Sequence, residues 1–276
     1  MNHICFNGKI IDASEPVFTS TNRGYRYGDG FFETMRVANR TIPLLTYHIK
    51  RIQYSLQLLG YTEPVHSLAE IVDQIFELCE KNKCSHSARV RLSFSNGNGS
   101  VFDANQNMDY LIEAVELNSG YNTLNENGLT TGLCHSVKKS CDSYANLKSA
   151  NYLFSRVAAE FAKEKSWDDA LILNQHNHIC ETTVTNIFWI KNNEIFTPPL
   201  SEGCVKGVMR AYLINTIGNV AEKICTLEDL KNADEIFLTN AVTGIRWVWK
   251  FENTTYHHKK TSTLYKELIS PLFHEK

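Results

Sequence analysis

Between residues 147 and 188 the apolar pattern changes period twice, and that change limits what the chain can fold into. Leu153, Val157 and Phe161 recur at helical spacing, so the segment after Asn151 reads as a helix with those residues on one face. Asp169 to Asn174 has the length and composition of a strand, Gln175 to His178 is a polar turn, and Asn186-Ile187-Phe188 opens another strand. Mixed strand and helix continue to the end of the chain, with no internal repeat and no low-complexity tract. The fold class is therefore α+β.

Two ionisable residues bracket this stretch. Lys148 stands just before the helix, and Glu181 just after the turn. One amine and one carboxylate on neighbouring elements suit a pyridoxal phosphate enzyme, where the amine forms a Schiff base and the acid keeps the pyridinium nitrogen protonated. Most lysines and glutamates are simply solvated, so the pair alone does not decide the matter.

The N-terminal part carries sharper local signals. Asn7-Gly8 predicts a two-residue hairpin between strands within residues 3–12. In STNRGYRYGDGFFETMRV three glycines, at 24, 28 and 30, lead into a strand at Phe31 to Val37. Their spacing is not GxGxxG and no Gly-Lys-Ser/Thr follows, which excludes a nucleotide loop. TYHIKRIQYSLQLLG predicts an amphipathic helix over 46–60 with Ile49, Ile52, Leu56 and Leu59 inward, closed by Gly60. His48 and Arg51 share a face of it. Ser67 and Glu70 form a capping box for a second helix. Ser87 to Ser95 alternates as a strand, with Arg89 and Arg91 on the face opposite its apolar residues, and pairs with Tyr110 to Leu117. The polar loop between them suits a mobile or site-covering segment.

Later signals are weaker. The polar, turn-rich NSGYNTLNEN is the best linker. Gly203 to Gly218 predicts a helix opening near Gly207, whose exposed N–H groups could hold a phosphate. EIFLTNAVTGIRWV reads as a strand and turn, and Ser262 to Phe273 as a helix with Leu264, Leu268 and Leu272 on one side. TYHHKK, with His257 and His258, reads as a solvated hairpin tip, because adjacent strand residues point to opposite faces.

Composition excludes several function classes. A length of 276 residues permits one large domain or two small ones, and 43% hydrophobic with 21% charged residues is ordinary for a soluble globular protein. A formal net charge of −2 without a basic block gives no reason to expect nucleic acid. No apolar run has membrane-helix length, and MNHICFNGK lacks the regions of a signal peptide. Eight cysteines without a CxxC pair suit reduced thiols in a cytoplasmic protein, and no ligand cluster supports a metal-dependent hydrolase. A non-catalytic binding protein on the same fold is disfavoured by the presence of both Lys148 and Glu181.

LKSANYL followed by ETTVTNIF resembles the core signature of class IV, or fold-type IV, pyridoxal phosphate enzymes. That family includes branched-chain and D-amino acid aminotransferases and aminodeoxychorismate lyases, and the similarity extends over nearly the whole chain. It implies a small N-terminal α/β sandwich domain (1–118), a linker (119–127) and a larger C-terminal pseudo-barrel domain (128–276) that binds the cofactor. It implies that Lys148 holds pyridoxal 5′-phosphate as an aldimine and shuttles a proton, that Glu181 pairs with the ring nitrogen, and that Tyr152 contacts the phenolate oxygen. HIKRI matches the element whose arginine, here Arg51, binds the cofactor phosphate. The Gly207, Val208, Met209 turn matches a phosphate-binding helix start, although the family's usual proline and threonine are Lys206 and Met209 here. Thr239, Asn240 and Ala241 match a segment that meets phosphate or substrate carboxylate. YGDGFFET places Tyr27, Phe32 and Arg36 on the substrate side, and Arg89 or Arg91 would bind a substrate carboxylate. The implied partners are a small amino acid, a 2-oxo acid and a second copy of the chain in a homodimer. Amino-acid transamination is the first reading. The alternative is aminodeoxychorismate lyase, which LTNAVTG favours and Asn96, in place of a lyase-like arginine, opposes.

Overall fold

The computed structural model describes residues 1–61, 63–104 and 108–274, and the chain divides into two units. The first comprises Met1–Ser119 together with Lys148–Asn151; the second comprises Gly120–Leu147 and Tyr152–His274. The polar loop between the strands at 87–95 and 109–116 lies partly outside the described residues, at 105–107.

In the first unit, β1 (His3–Phe6) and β2 (Lys9–Asp12) form the hairpin that Asn-Gly dictates, with Asn7 and Gly8 both at positive φ. The short helix α1 (Arg23–Tyr27) ends at Gly28 in the left-handed region and delivers the chain to β3 (Gly30–Ala38). Helices α2 (Leu45–Leu59) and α3 (Leu68–Lys81) follow, then β4 (Ser87–Ser95) and β5 (Asp109–Glu116). The sheet runs β2-β1-β5-β4-β3 and is antiparallel throughout. Its inner face and the two helices enclose one core, including Phe31, Met35, Ile52, Leu56, Ile71, Ile75, Leu78, Val90 and Leu92. The capping box of α3 is present as expected.

One expectation for α2 changes. Ile49 and Leu59 are only half-buried, and the buried residues are His48, Arg51, Ile52, Ser55 and Leu56. The helix is rotated to bury two ionisable side chains, for a reason found on β3. Strand alternation puts Glu33 on the same face as Phe31 and Met35, so a carboxylate enters the core and needs counter-charge there.

The second unit contains β6 (Leu129–Lys139), α4 (Leu153–Glu164), β7 (Asp169–Asn174), β8 (Ile179–Thr182), β9 (Asn186–Lys191), β10 (Glu194–Thr197), α5 (Val208–Ile217), β11 (Val220–Glu222), α6 (Leu227–Lys231), β12 (Glu235–Asn240), β13 (Gly244–Phe251) and β14 (Thr254–Thr255). The mixed sheet runs β11-β10-β9-β12-β13-β6-β7-β8, with β14 beside β13. Asn192 and Asn193, both at positive φ, turn the β9–β10 hairpin.

Helix α4 does not bury the predicted face. Leu153 is exposed, Val157 and Phe161 are half-buried, and the buried residues are Ser155, Ala158 and Ala162. Small residues let the helix pack closely on β6 and β7, where Trp167 fills the space a side chain at Gly132 would need. The C-terminal helix also departs from its pattern. A π-helical turn at Tyr265–Ile269 separates α7 (Lys259–Leu264) from α8 (Ser270–His274). The π turn adds a residue, so Leu264, Ile269 and Phe273 are buried rather than Leu264, Leu268 and Leu272. His258 is not at a hairpin tip. It precedes α7, 4.1 Å from the Trp247 ring, and its Nδ1 lies 2.8 Å from Ser262 Oγ.

Candidate active site

In the first unit Lys148 is fixed through its backbone. Phe32 N–H donates to the Lys148 carbonyl at 2.9 Å, Ala150 N–H donates to the Gly30 carbonyl at 3.0 Å, and Ser149 bridges to Phe31. Residues 148–150 thus lie along the free edge of β3. A side chain at Gly30 would strike the Phe94 carbonyl, which explains a glycine where β3 begins.

The Lys148 Nζ lies 4.4 Å from the centre of the Phe32 ring, and the Arg91 guanidinium carbon lies 3.6 Å from the same centre. Both distances suit attraction of a cation to an aromatic face. Arg91 Nε also donates to Ser93 Oγ at 3.1 Å. Arg89, two residues away, is exposed and opposes Arg36, which is buried. Of the two candidate carboxylate binders, Arg91 shares a ring with Lys148 and Arg89 does not. Tyr27 ends α1 partly exposed, with the Arg26 guanidinium 5.1 Å from its ring.

Arg51 grips Glu33 with two donors, Nε to Oε1 at 2.7 Å and Nη2 to Oε2 at 2.6 Å, while His48 Nδ1 meets Oε2 at 2.6 Å. Burial alone would raise the Glu33 carboxyl, but the Arg51 guanidinium, and then His48, outweigh it and bring it down to about 2. The bidentate grip fixes the plane of the guanidinium. Asn96 is buried and donates to Asp29 Oδ2 at 3.3 Å, beside the Arg23–Asp29 ion pair at 2.8 Å. Its amide anchors the start of the loop after β4.

In the second unit Glu181 lies on β8, buried on every side. Its Oε1 accepts from Lys139 Nζ at 2.5 Å and its Oε2 from the Val205 N–H at 2.7 Å. The Val205 carbonyl in turn accepts from Asn186 Nδ2 at 2.9 Å. Both backbone polar groups of Val205 are therefore held, three residues before α5 begins. Gly207 caps α5 without any side-chain hydrogen bond, and a Cβ there would collide with the Asn186 amide oxygen. Val208 and Met209, in the first turn, are buried. Across β9 and β12 Asn186 pairs with Thr239, whose Oγ1 is buried with no hydrogen-bond partner among the described residues. Asn240 turns its side chain onto its own turn, accepting from Val242 N–H, Thr243 N–H and Thr243 Oγ1 at 2.8–3.0 Å. Ala241 lies inside that turn. Tyr152 precedes α4, half-buried, its ring 5.6 Å from that of Phe154.

A buried helix start without a cap, next to an orphaned buried hydroxyl, is a set of donors waiting for an acceptor such as a phosphate. The buried Glu181 carboxylate, bonded to the Val205 N–H just before that helix, is the acceptor that a protonated pyridine needs. The residues present therefore fit pyridoxal phosphate. Sequence reasoning missed Lys139 and Glu33. Both had a signal: Lys138 and Lys139 are adjacent on a strand, so one must point inward, and Glu33 falls on the apolar phase of β3.

The amino-transferase class IV family model matches residues 30–251, and the chain belongs to that family of pyridoxal phosphate enzymes. It is 28% identical to the aminodeoxychorismate lyase of Bacillus subtilis over 99% of this chain and 97% of that protein. It is 29% identical to a putative branched-chain-amino-acid aminotransferase of Methanocaldococcus jannaschii over 96% and 93% of the two chains. Among solved structures, a putative 4-amino-4-deoxychorismate lyase from Legionella pneumophila superposes with a TM-score of 0.82 at 26% identity, covering 91% of this chain and 94% of that one. No helix among the described residues is long and apolar enough to cross a membrane, and none of their His, Cys, Asp and Glu side chains form a metal cluster. All eight cysteines are free thiols.

Proposed function

We propose that the protein is an aminotransferase that moves an amino group between an amino acid and a 2-oxo acid. The observation that carries this reading is the Arg91–Phe32–Lys148 cluster, in which one guanidinium and the lysine amine share a single aromatic ring. That arrangement suits a substrate with a single carboxylate next to its amino group. Bound pyridoxal phosphate supplies an electron sink for the negative charge left at the substrate Cα. The chain does the rest. Lys148 would attach the cofactor and, with its amine free, would move the proton at the substrate Cα. Glu181 holds the proton on the ring nitrogen, and Tyr152 hydrogen-bonds the ring oxygen. Arg51, Gly207, Val208 and Met209 bind phosphate, with Thr239, Asn240 and Ala241 completing the anionic contacts. Arg91 takes the α-carboxylate; Tyr27, Phe32 and Arg89 belong to the substrate side. The same reading includes a homodimer in the cytoplasm, where unpaired thiols persist.

Aminodeoxychorismate lyase is the second reading, supported by lyase-named relatives. Opposed to it, Asn96 stands where an arginine would serve a carboxylate-rich substrate, and its amide is committed to Asp29. Assays with panels of L- and D-amino acids and 2-oxo acids, set beside pyruvate release from aminodeoxychorismate, separate the two. Amino-group transfer with at least one pair is expected; pyruvate release without any transfer would sink the aminotransferase reading.

A further inference from the structure

Lys139 has no part in the reading above, yet it is the most deeply buried lysine the site contains. Its Nζ donates to Glu181 Oε1 at 2.5 Å and to the Ala145 carbonyl at 3.3 Å, and lies 5.1 Å from the Phe154 ring. Both partners of the ion pair are about 95% buried, with 5% of each side chain exposed. Burying two charges is costly, and the cost is met only where geometry and hydrogen bonding are good on both sides. Here Val205 N–H takes the second carboxylate oxygen, so Glu181 is held by three elements at once: β6, β8 and the segment before α5.

We infer that Lys139 is a positioning residue: an internal counter-cation that balances and aims the Glu181 carboxylate, and that moderates how strongly Glu181 holds the proton on a cofactor's ring nitrogen. The inference rests on the proposed pairing of Glu181 with that nitrogen. A lone buried carboxylate would favour its neutral form, and a neutral acid is a poor partner for a pyridinium. With the ammonium in place the buried carboxylate has a counter-charge before any cofactor arrives. Once the cofactor is bound, two cations share one anion, so the ring proton is held less tightly than an isolated carboxylate would hold it.

The surroundings support a permanent charge on Lys139. Burial pushes the ammonium down, but the Glu181 charge outweighs it and the net direction is up. The other titratable groups facing it are thiols: Cys180 on β8, Cys204 before α5, and Cys141 after β6. Burial raises all three, Cys204 to about 12, so none changes charge near neutrality. A pH response near neutrality therefore does not come from them.

The test uses Lys139→Gln, which keeps a donor but loses the charge, Lys139→Arg, which keeps the charge, Glu181→Gln, and the Lys139→Gln/Glu181→Gln pair. Two readouts are taken: the melting temperature of cofactor-free protein, and the pH at which absorbance of bound pyridoxal phosphate changes. Without cofactor, Lys139→Gln should melt lower than wild type and the double variant should recover part of the loss, since neither side then carries an unpaired charge. With cofactor, Lys139→Gln should move the absorbance transition upward by ~0.5 pH unit or more, because a fixed positive charge has gone. Lys139→Arg should leave it near wild type. In the Glu181→Gln background the Lys139 change should add little. A transition unmoved by Lys139→Gln, while Glu181→Gln alters it, would overturn the inference and leave the role of Glu181 standing. An equal shift with and without Glu181 would also overturn it, since Lys139 would then act directly. If Glu181→Gln changes neither absorbance nor cofactor affinity, the pairing itself is wrong and the inference goes with it. Should Lys139→Gln fail to fold alone, Lys139→Arg and the double variant, read against Glu181→Gln, still decide the last two outcomes.

Discussion

Lys148→Ala is expected to abolish covalent retention of pyridoxal phosphate and to cut turnover by roughly 10⁴-fold or more, at the upper end of what one positioned acid–base group contributes. The fold should survive. Lys148 is tied to β3 through its carbonyl, which accepts from Phe32 N–H, and that bond does not depend on the side chain. Losing the amine also removes one of the two cations on the Phe32 ring, leaving Arg91 in place. Borohydride reduction followed by peptide mapping checks the assignment: wild type should carry the reduced cofactor on the peptide containing Lys148, and the variant should carry none. A reduced adduct on another lysine would transfer the role elsewhere.

The second large effect is on stability. Glu33→Ala strips the buried Arg51 and His48 of their shared carboxylate, and breaking one side of a buried pair costs about 3–5 kcal/mol. Its pH dependence follows from the direction of the shift. The folded Glu33 carboxyl is lowered from an ordinary 4.5 to about 2, so its contribution is fully present above about 4.5 and is lost as pH falls toward 2. The depression corresponds to roughly 3 kcal/mol. Denaturant midpoints should therefore fall between pH 4.5 and 3 more steeply in wild type than in Glu33→Gln. Other carboxylates titrate in both proteins, and the difference between them isolates Glu33. Parallel curves would mean that the ion pair adds nothing to stability. Because Glu33 fixes the plane of Arg51, the same variants should also bind cofactor less tightly.

Much of the backbone was legible because its signals are local. Asn7-Gly8 and the Ser67/Glu70 capping box each act within four residues, and each element forms as those residues dictate. The buried faces of helices were less so, because they depend on what lies opposite. Leu153, Val157 and Phe161 have the right period for a buried stripe on α4, but close approach to β6 and β7 selects Ser155, Ala158 and Ala162 instead. The π turn at Tyr265–Ile269 defeats any fixed period. In the site, Lys148 and Glu181 stood out by resemblance, whereas Lys139 and Glu33 did not. An ionisable residue on the apolar phase of a strand is visible in sequence only as an exception. Its partner comes from a distant element: Arg51 is 18 positions from Glu33, and Lys139 is 42 from Glu181.

Aminotransfer requires that the enzyme store the amino group between two substrates, whereas lyase chemistry never does. The most direct measurement is accordingly a half-reaction: purified protein loaded with pyridoxal phosphate is mixed with one amino acid and no oxo acid, and its absorbance is followed. Conversion to the spectrum of pyridoxamine phosphate, with one equivalent of oxo acid released and reversal on adding a 2-oxo acid such as 2-oxoglutarate or pyruvate, is the expected result. No conversion with any amino acid of either hand, together with pyruvate release from aminodeoxychorismate, would contradict it.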